Sequence, residues 1–146
     1  MDNFRVLTQK DISNEMEYVS MHQFKITDLN KEKYILYTQG LFTCTGIIGI
    51  NFKSKVGFLA HIAPSDNINR ILISIKSSLE SSYGKFDEKF FVYVCNGIQE
   101  GNVQKIILSN LELQTIFNPA VRNMTTEDGI GINCKTTVVF KYIRSK

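Results

Sequence analysis

The 146-residue chain predicts an α+β domain, a mixed and mostly antiparallel β-sheet core with two flanking helices, and three observations carry that reading. Two apolar runs, residues 45–52 (TGIIGINF) and 56–62 (VGFLAHI), are separated only by the polar Lys53-Ser54-Lys55, which is the pattern of an antiparallel hairpin. Just after Pro64 the period changes. Ile68, Ile71, Leu72, Ile75 and Leu79 follow the i, i+3, i+4, i+7, i+11 series of one helical face. Residues 89–95 (KFFVYVC) are aromatic and β-branched, as a buried strand is.

Taken in order, the first sixteen residues are polar and poorly patterned, and they predict an arm. Residues 18–26 and 34–38 read as strands, with 27–33 as the turn between them. The hairpin comes next, and then a helix within 65–82, capped by Ser65 or Asp66 because a short side-chain oxygen accepts from the free amides of the first turn. Asn96-Gly97 ends the 89–95 strand. A second helix over 102–111 sets Val103, Ile106, Ile107 and Leu111 on one side. Strands at 113–117 and 135–143 complete the list, separated by a loop rich in Asn, Thr and Gly in which Gly129-Ile130-Gly131 reads as a turn. With no internal repeat and no Pro/Gly-rich linker, residues 1–146 read as a single domain.

Composition narrows the function. At 43% hydrophobic and 21% charged residues the chain has enough apolar surface for a core, which excludes a disordered segment. Its 17 Lys and Arg against 14 Asp and Glu leave a net charge of +3 that is spread along the chain, so no nucleic-acid partner is expected. No apolar run is long enough for membrane insertion, and the first residues are charged where a secretory signal would be apolar. A cytoplasmic protein is expected. Three cysteines without a CxxC pair suit a reducing compartment with no disulfide, and with only two histidines beside them no metal site is expected.

Cys44 opens the first hairpin strand directly after the Gly40-Leu41-Phe42-Thr43 loop, where rigid structure would hold a nucleophile with backbone amides nearby to face a developing oxyanion. His61 lies near the end of the partner strand, so a hairpin closed at 53–55 brings it to the same end as Cys44. A neighbouring imidazole would draw the thiol towards the nucleophilic thiolate. The same spacing also fits a strand cysteine beside a core histidine. Cys95 reads as a core residue and Cys134 as an unpaired thiol. Phe90, Phe91 and Tyr93 read as sheet packing, and His22 as a surface or satisfied histidine with no nearby carboxylate.

Thr38-Gln39-Gly40-Leu41-Phe42-Thr43-Cys44 and Lys55-Val56-Gly57-Phe58-Leu59-Ala60-His61-Ile62 together resemble two segments of CheD, the chemoreceptor glutamine deamidase, in order and in Cys-to-His separation. The resemblance covers residues 34–64. Phe42 and Thr43 stand where CheD has a glycine and a serine, Asn96-Gly97-Ile98 stands for its Gly-Gly-Ala, and Asp128-Gly129-Ile130-Gly131 for its late Gly-Gly segment. The Cys-His arrangement recurs in the cytotoxic necrotizing factor toxins and Burkholderia lethal factor. The resemblance implies a CheD-like layered sandwich and a catalytic set of Cys44, His61 and Thr38. It implies cofactor-free hydrolysis of a protein glutamine to glutamate through a thioester, with Thr38 orienting the ring and backbone amides around Thr43 to Thr45 holding the oxyanion. The implied partner is a chemoreceptor or, for a toxin-like effector delivered into a host cytosol, a host protein. A transglutaminase or cysteine protease using the same pair is the enzymatic alternative, and a non-catalytic binding module of that fold is the other.

Overall fold

The structure, a computed structural model, describes residues 4–95 and 100–144. Asn96-Gly97, expected to end a strand, and Ile98, which completes the stretch set against the CheD Gly-Gly-Ala, lie outside the described residues. Two five-stranded sheets form. The first orders β1 (Arg5–Thr8), β10 (Val138–Ile143), β9 (Gly129–Asn133), β4 (Ile35–Thr38) and β2 (Met16–Tyr18). The second orders β3 (Phe24–Asp28), β6 (Val56–Ile62), β5 (Thr45–Asn51), β7 (Phe91–Cys95) and β8 (Arg122–Met124). Pairing is antiparallel except at β1 with β10, β2 with β4 and β7 with β8. The chain is therefore α+β with a mixed, mostly antiparallel sheet core.

The hairpin is the centre of the second sheet. Every residue of β5 and β6 is buried, and strand alternation sends their side chains to two different cores. Ile48, Ile50 and Leu59 share one with Tyr93 and Cys95 of β7 and with Leu36, Ile130, Ile132 and Val139 of the first sheet. Ile47, Phe58, Ala60 and Ile62 share the other with Ile68, Leu72, Ile75 and Leu79 of α1 (Ile68–Tyr83) and with Val103 and Ile107 of α2 (Glu100–Leu108). Each of those four α1 side chains contributes about 1.5–3 kcal/mol on burial, which offsets the ordering of a helix too polar to hold alone.

Several expectations are corrected. Residues 1–16 are not an arm throughout: β1 pairs in parallel with β10, and Met16 is buried at the start of β2. Residues 18–26 are not one strand. They divide into the end of β2 and the start of β3, which belong to different sheets, and His22 makes the bend with φ 70°. Thr27 and Asp28, expected in the turn, finish β3. The cap of α1 is Asn67, whose side chain accepts from the Arg70 amide at 3.0 Å, and neither Ser65 nor Asp66 takes that place.

The second helix is offset, and a third follows it. Asn110 caps α3 (Leu111–Gln114) through the amides of Glu112 and Leu113, so the expected 113–117 strand is reduced to one parallel bridge, Phe117 with Phe90. The Asn, Thr and Gly-rich loop contains β8 and β9. Gly129-Ile130-Gly131 is a central strand, where glycine is required by crowding. A Cβ on Gly129 would sit 1.8 Å from the Thr38 carbonyl oxygen, and one on Gly131 would sit 2.1 Å from the Phe140 ring. No helix among the described residues is long and apolar enough to cross a membrane.

Candidate functional site

The site sits at the end of the hairpin remote from the 53–55 turn. In the register, Thr45 faces Ile62 and Gly46 faces His61. Cys44 lies two residues before Gly46, so alternation puts its side chain on the same face as the His61 ring, the face turned towards the first sheet. Gly46, opposite His61, leaves room on that face. A Cβ there would come 2.6 Å from Ile130 and 2.9 Å from Leu41, the residues that wall the space between the sheets.

Thr38, at the end of β4 in the first sheet, reaches across to His61 of the second. Its Oγ1 lies 2.7 Å from His61 Nδ1 and donates to the Val19 carbonyl at 2.6 Å. A hydroxyl has one proton. Since Val19 receives it, Thr38 accepts from Nδ1–H, and in neutral His61 the other nitrogen, Nε2, carries a bare lone pair. His61 Nε2 is buried and makes no hydrogen bond among the described residues. A buried acceptor without a partner is costly, and it points to a role outside packing.

The shifts at the two side chains run against the expected draw of the thiol towards thiolate. Burial pushes the Cys44 thiol up, Asp66 adds to that shift, and a hydrogen bond from Thr43 opposes it. Burial holds His61 below the usual imidazole range, His22 lowers it further, and Asp66 acts in the opposite sense. With Cys44 4% and His61 3% exposed, neither charge is well solvated, and both shifts favour the neutral thiol and the neutral imidazole. No hydrogen bond joins them. Thr43 stands in the loop before β5 with its side chain bonded to Cys44, whereas Thr45 is inside the ladder and buried.

The loop bearing Cys44 is tied to the first sheet by a residue that sequence reasoning passed over. Buried Asp128 accepts from the Gly40 amide at 2.7 Å through its carboxylate, and from the Leu41 amide at 2.8 Å through its carbonyl. Arg144 Nε donates to the same carboxylate at 3.0 Å. These bonds fix the turn where Gly40 takes φ 77°. His22 and Asp66 were also missed as a unit. The carboxylate of Asp66 meets His22 Nδ1 at 2.9 and 3.0 Å, so the histidine expected to lack a nearby carboxylate has one. They are 44 positions apart, and nothing local in the sequence signals the pairing.

Cys95 and Cys134 are buried core residues, and none of the three cysteines is in a disulfide. Phe90 and Tyr93 are buried in the two cores that flank the second sheet, and Phe91 packs on Phe52 with ring centroids 5.1 Å apart. A cavity of about 410 Å³ lies at the other end of the hairpin, among Asn51, Lys53, Tyr83 and Phe86. It is away from Cys44 and adds nothing to that chemistry. Among the described residues no three histidine, cysteine or carboxylate side chains converge to hold a metal.

Compared against models of known protein families the chain matches none, and no curated protein matches it.

Proposed function

We propose that the chain is a cysteine-dependent protein-glutamine deamidase of CheD-like type, with Cys44 as nucleophile, His61 as its base and Thr38 as the residue that orients the ring. One observation carries the reading. The Thr38 hydroxyl, committed to Val19, forces the hydrogen of neutral His61 onto Nδ1 and leaves Nε2 as an unpartnered buried base on the face that also bears Cys44.

The neutral resting pair sets the order of proton movements. As Cys44 sulfur bonds to the carboxamide carbon, its proton passes to His61 Nε2. The imidazolium then delivers that proton to the nitrogen, the carbon–nitrogen bond breaks, and ammonia departs. Water hydrolyses the thioester to glutamate and returns the thiol. Backbone amides around Thr43 to Thr45 hold the developing oxyanion. No cofactor enters these steps. Phe42, 71% exposed two residues before the nucleophile, gives a protein substrate an apolar contact at the mouth of the site. The substrate class is a glutamine-bearing protein, a chemoreceptor or a host protein, met in the cytosol of the producing cell or of a host.

The test is mass spectrometry of glutamine-bearing peptides and proteins incubated with the native chain, with Cys44→Ala and with His61→Ala. Conversion of glutamine to glutamate by the native chain alone supports the reading. Cys44-dependent cleavage of peptide bonds, or attachment of an added amine in place of hydrolysis, assigns the pair to the protease or transglutaminase class instead.

A further inference from the structure

His61 has a counterpart in His22. Both histidines have Nδ1 held by an oxygen, from Thr38 in one case and Asp66 in the other. Their main chains are bonded directly, His22 N–H to the His61 carbonyl at 2.8 Å. They differ in exposure: the His61 ring is buried, whereas the His22 side chain is 57% exposed. Among the described residues, no hydrogen bond engages His22 Nε2.

The placement of His22 is held on three sides. Its backbone adopts φ 70°, a left-handed conformation that a non-glycine residue takes only when its surroundings hold it there. Asp66 grips the ring with both carboxylate oxygens and is itself fixed to Ala63, accepting from its amide at 2.8 Å and donating its own amide to the Ala63 carbonyl at 3.0 Å. Ala63 follows Ile62, the partner of Thr45, and packs in the same core cluster as Cys44. His22 is bonded to the His61 main chain, Asp66 to His22 and Ala63, and Ala63 shares a core with Cys44, so these groups lie at this end of the hairpin; Asp66 acts electrostatically on both Cys44 and His61, and His22 on His61.

We propose that His22, held by Asp66, is the general base of the second half-reaction and activates the water that hydrolyses the Cys44 thioester. The inference rests on the deamidase reading and divides its proton transfers between two histidines. Buried His61 serves the thiol and the departing nitrogen. Water arrives from solvent, where the exposed ring of His22 is. The water O–H bond breaks with its proton going to His22 Nε2, the oxygen bonds to the carbonyl carbon, and the carbon–sulfur bond breaks. The Cys44 thiolate then recovers a proton from His22 through solvent, so thioester and water give carboxylic acid and thiol. Asp66, through its grip on Nδ1, keeps Nε2 as the acceptor, the part an aspartate plays behind a catalytic histidine.

The probe is p-nitrophenyl acetate, which acylates a reactive thiol without any protein substrate. Release of p-nitrophenolate reports acetylation, and intact mass of the isolated acetyl-protein reports its decay, with Cys44→Ala identifying the acetylated residue. His22→Asn is the first variant, because asparagine tolerates the left-handed backbone but is no base, and His22→Gln is the second. The expected result is acetylation of Cys44 at the native rate with decay of the acetyl-protein slowed by about 100-fold or more, the range for loss of a general base. Asp66→Asn falls between native and His22→Asn. Native decay in both His22 variants overturns the proposal and leaves the Cys44–His61 reading standing. Equal slowing of acetylation and decay also overturns it, since that marks a residue that only shapes the site. A native chain not acetylated at Cys44 overturns the deamidase reading, and this proposal with it.

Discussion

The Thr38 hydroxyl and the His61 ring meet at 2.7 Å, and a third group decides the direction of that bond: the Val19 carbonyl, 2.6 Å from the same oxygen, takes the only hydroxyl proton. One threonine therefore links the two sheets, sets the tautomer of the neutral imidazole and leaves Nε2 with a bare lone pair.

Thr38→Val keeps the volume but leaves the buried Nδ1–H and the Val19 carbonyl without partners. The expected cost is about 1–3 kcal/mol for each group left unsatisfied, read as a lower urea midpoint, with loss of any Cys44-dependent activity. Thr38→Ser retains the hydroxyl and loses one methyl, about 1 kcal/mol, with activity largely kept. Equal effects of the two substitutions would show that the hydroxyl is not what matters.

The upward shift of Cys44 sets an expectation for thiol labelling. With a neutral resting pair, alkylation by iodoacetamide is slow at neutral pH and climbs steadily through the alkaline range, because rate follows the thiolate fraction. Cys134, pushed up to about 12 by burial, labels more slowly still. A labelling rate that levels off below pH 7 would mean a resting thiolate and refute the neutral pair.

His61 also makes stability depend on pH. Its folded pKa is depressed, so below the ordinary imidazole value of about 6.5 the unfolded chain binds a proton that the folded chain resists. Unfolding is then favoured as acid is added: this contribution is fully retained above that value and declines as pH falls from it towards the folded pKa. Thermal unfolding of the native chain and of His61→Gln across pH 5 to 8 separates it. The native midpoint should fall more steeply on acidification, and parallel curves would contradict the assignment.

Gly129 and Gly101 make opposite forecasts for the same substitution. Gly129→Ala would place its Cβ 1.8 Å from the Thr38 carbonyl oxygen and 2.8 Å from the Gln39 Cα, both backbone atoms, so β4 must move and Thr38 with it. A loss of at least about 1–3 kcal/mol is expected, with damage to Cys44-dependent activity. Gly101→Ala meets nothing within 4 Å and lies in α2, so it should stabilise by about 0.5–1 kcal/mol. Circular-dichroism melts of the two variants check both signs, and a stable Gly129→Ala would show that the crowding at β9 is not real.

Local pattern alone determined the hairpin, α1 and β7. A three-residue polar turn between two apolar runs admits one register, and that register places Cys44 and His61 at one end and on one face before any other element is known. Five apolar positions at helical period likewise set the buried face of α1. Tertiary structure decided the rest, because the deciding contacts join residues far apart in the chain. The bend at His22 that divides residues 16–28 between two sheets leaves no break in hydropathy. Gly129-Ile130-Gly131 reads as a turn by propensity, yet it is a central strand because the Thr38 backbone and the Phe140 ring leave no room for a Cβ. Residues 111–114 become helix through the Asn110 cap against an apolar content that suits a strand equally well. Thr38 meets the His61 ring only once β4 of one sheet lies near β6 of the other, and His22 meets Asp66 only when turns 44 positions apart close around Ala63. Period and turn chemistry are short-range properties that a sequence displays directly, whereas the direction of a shared hydrogen bond or the room left beside a backbone exists only after the sheets have packed.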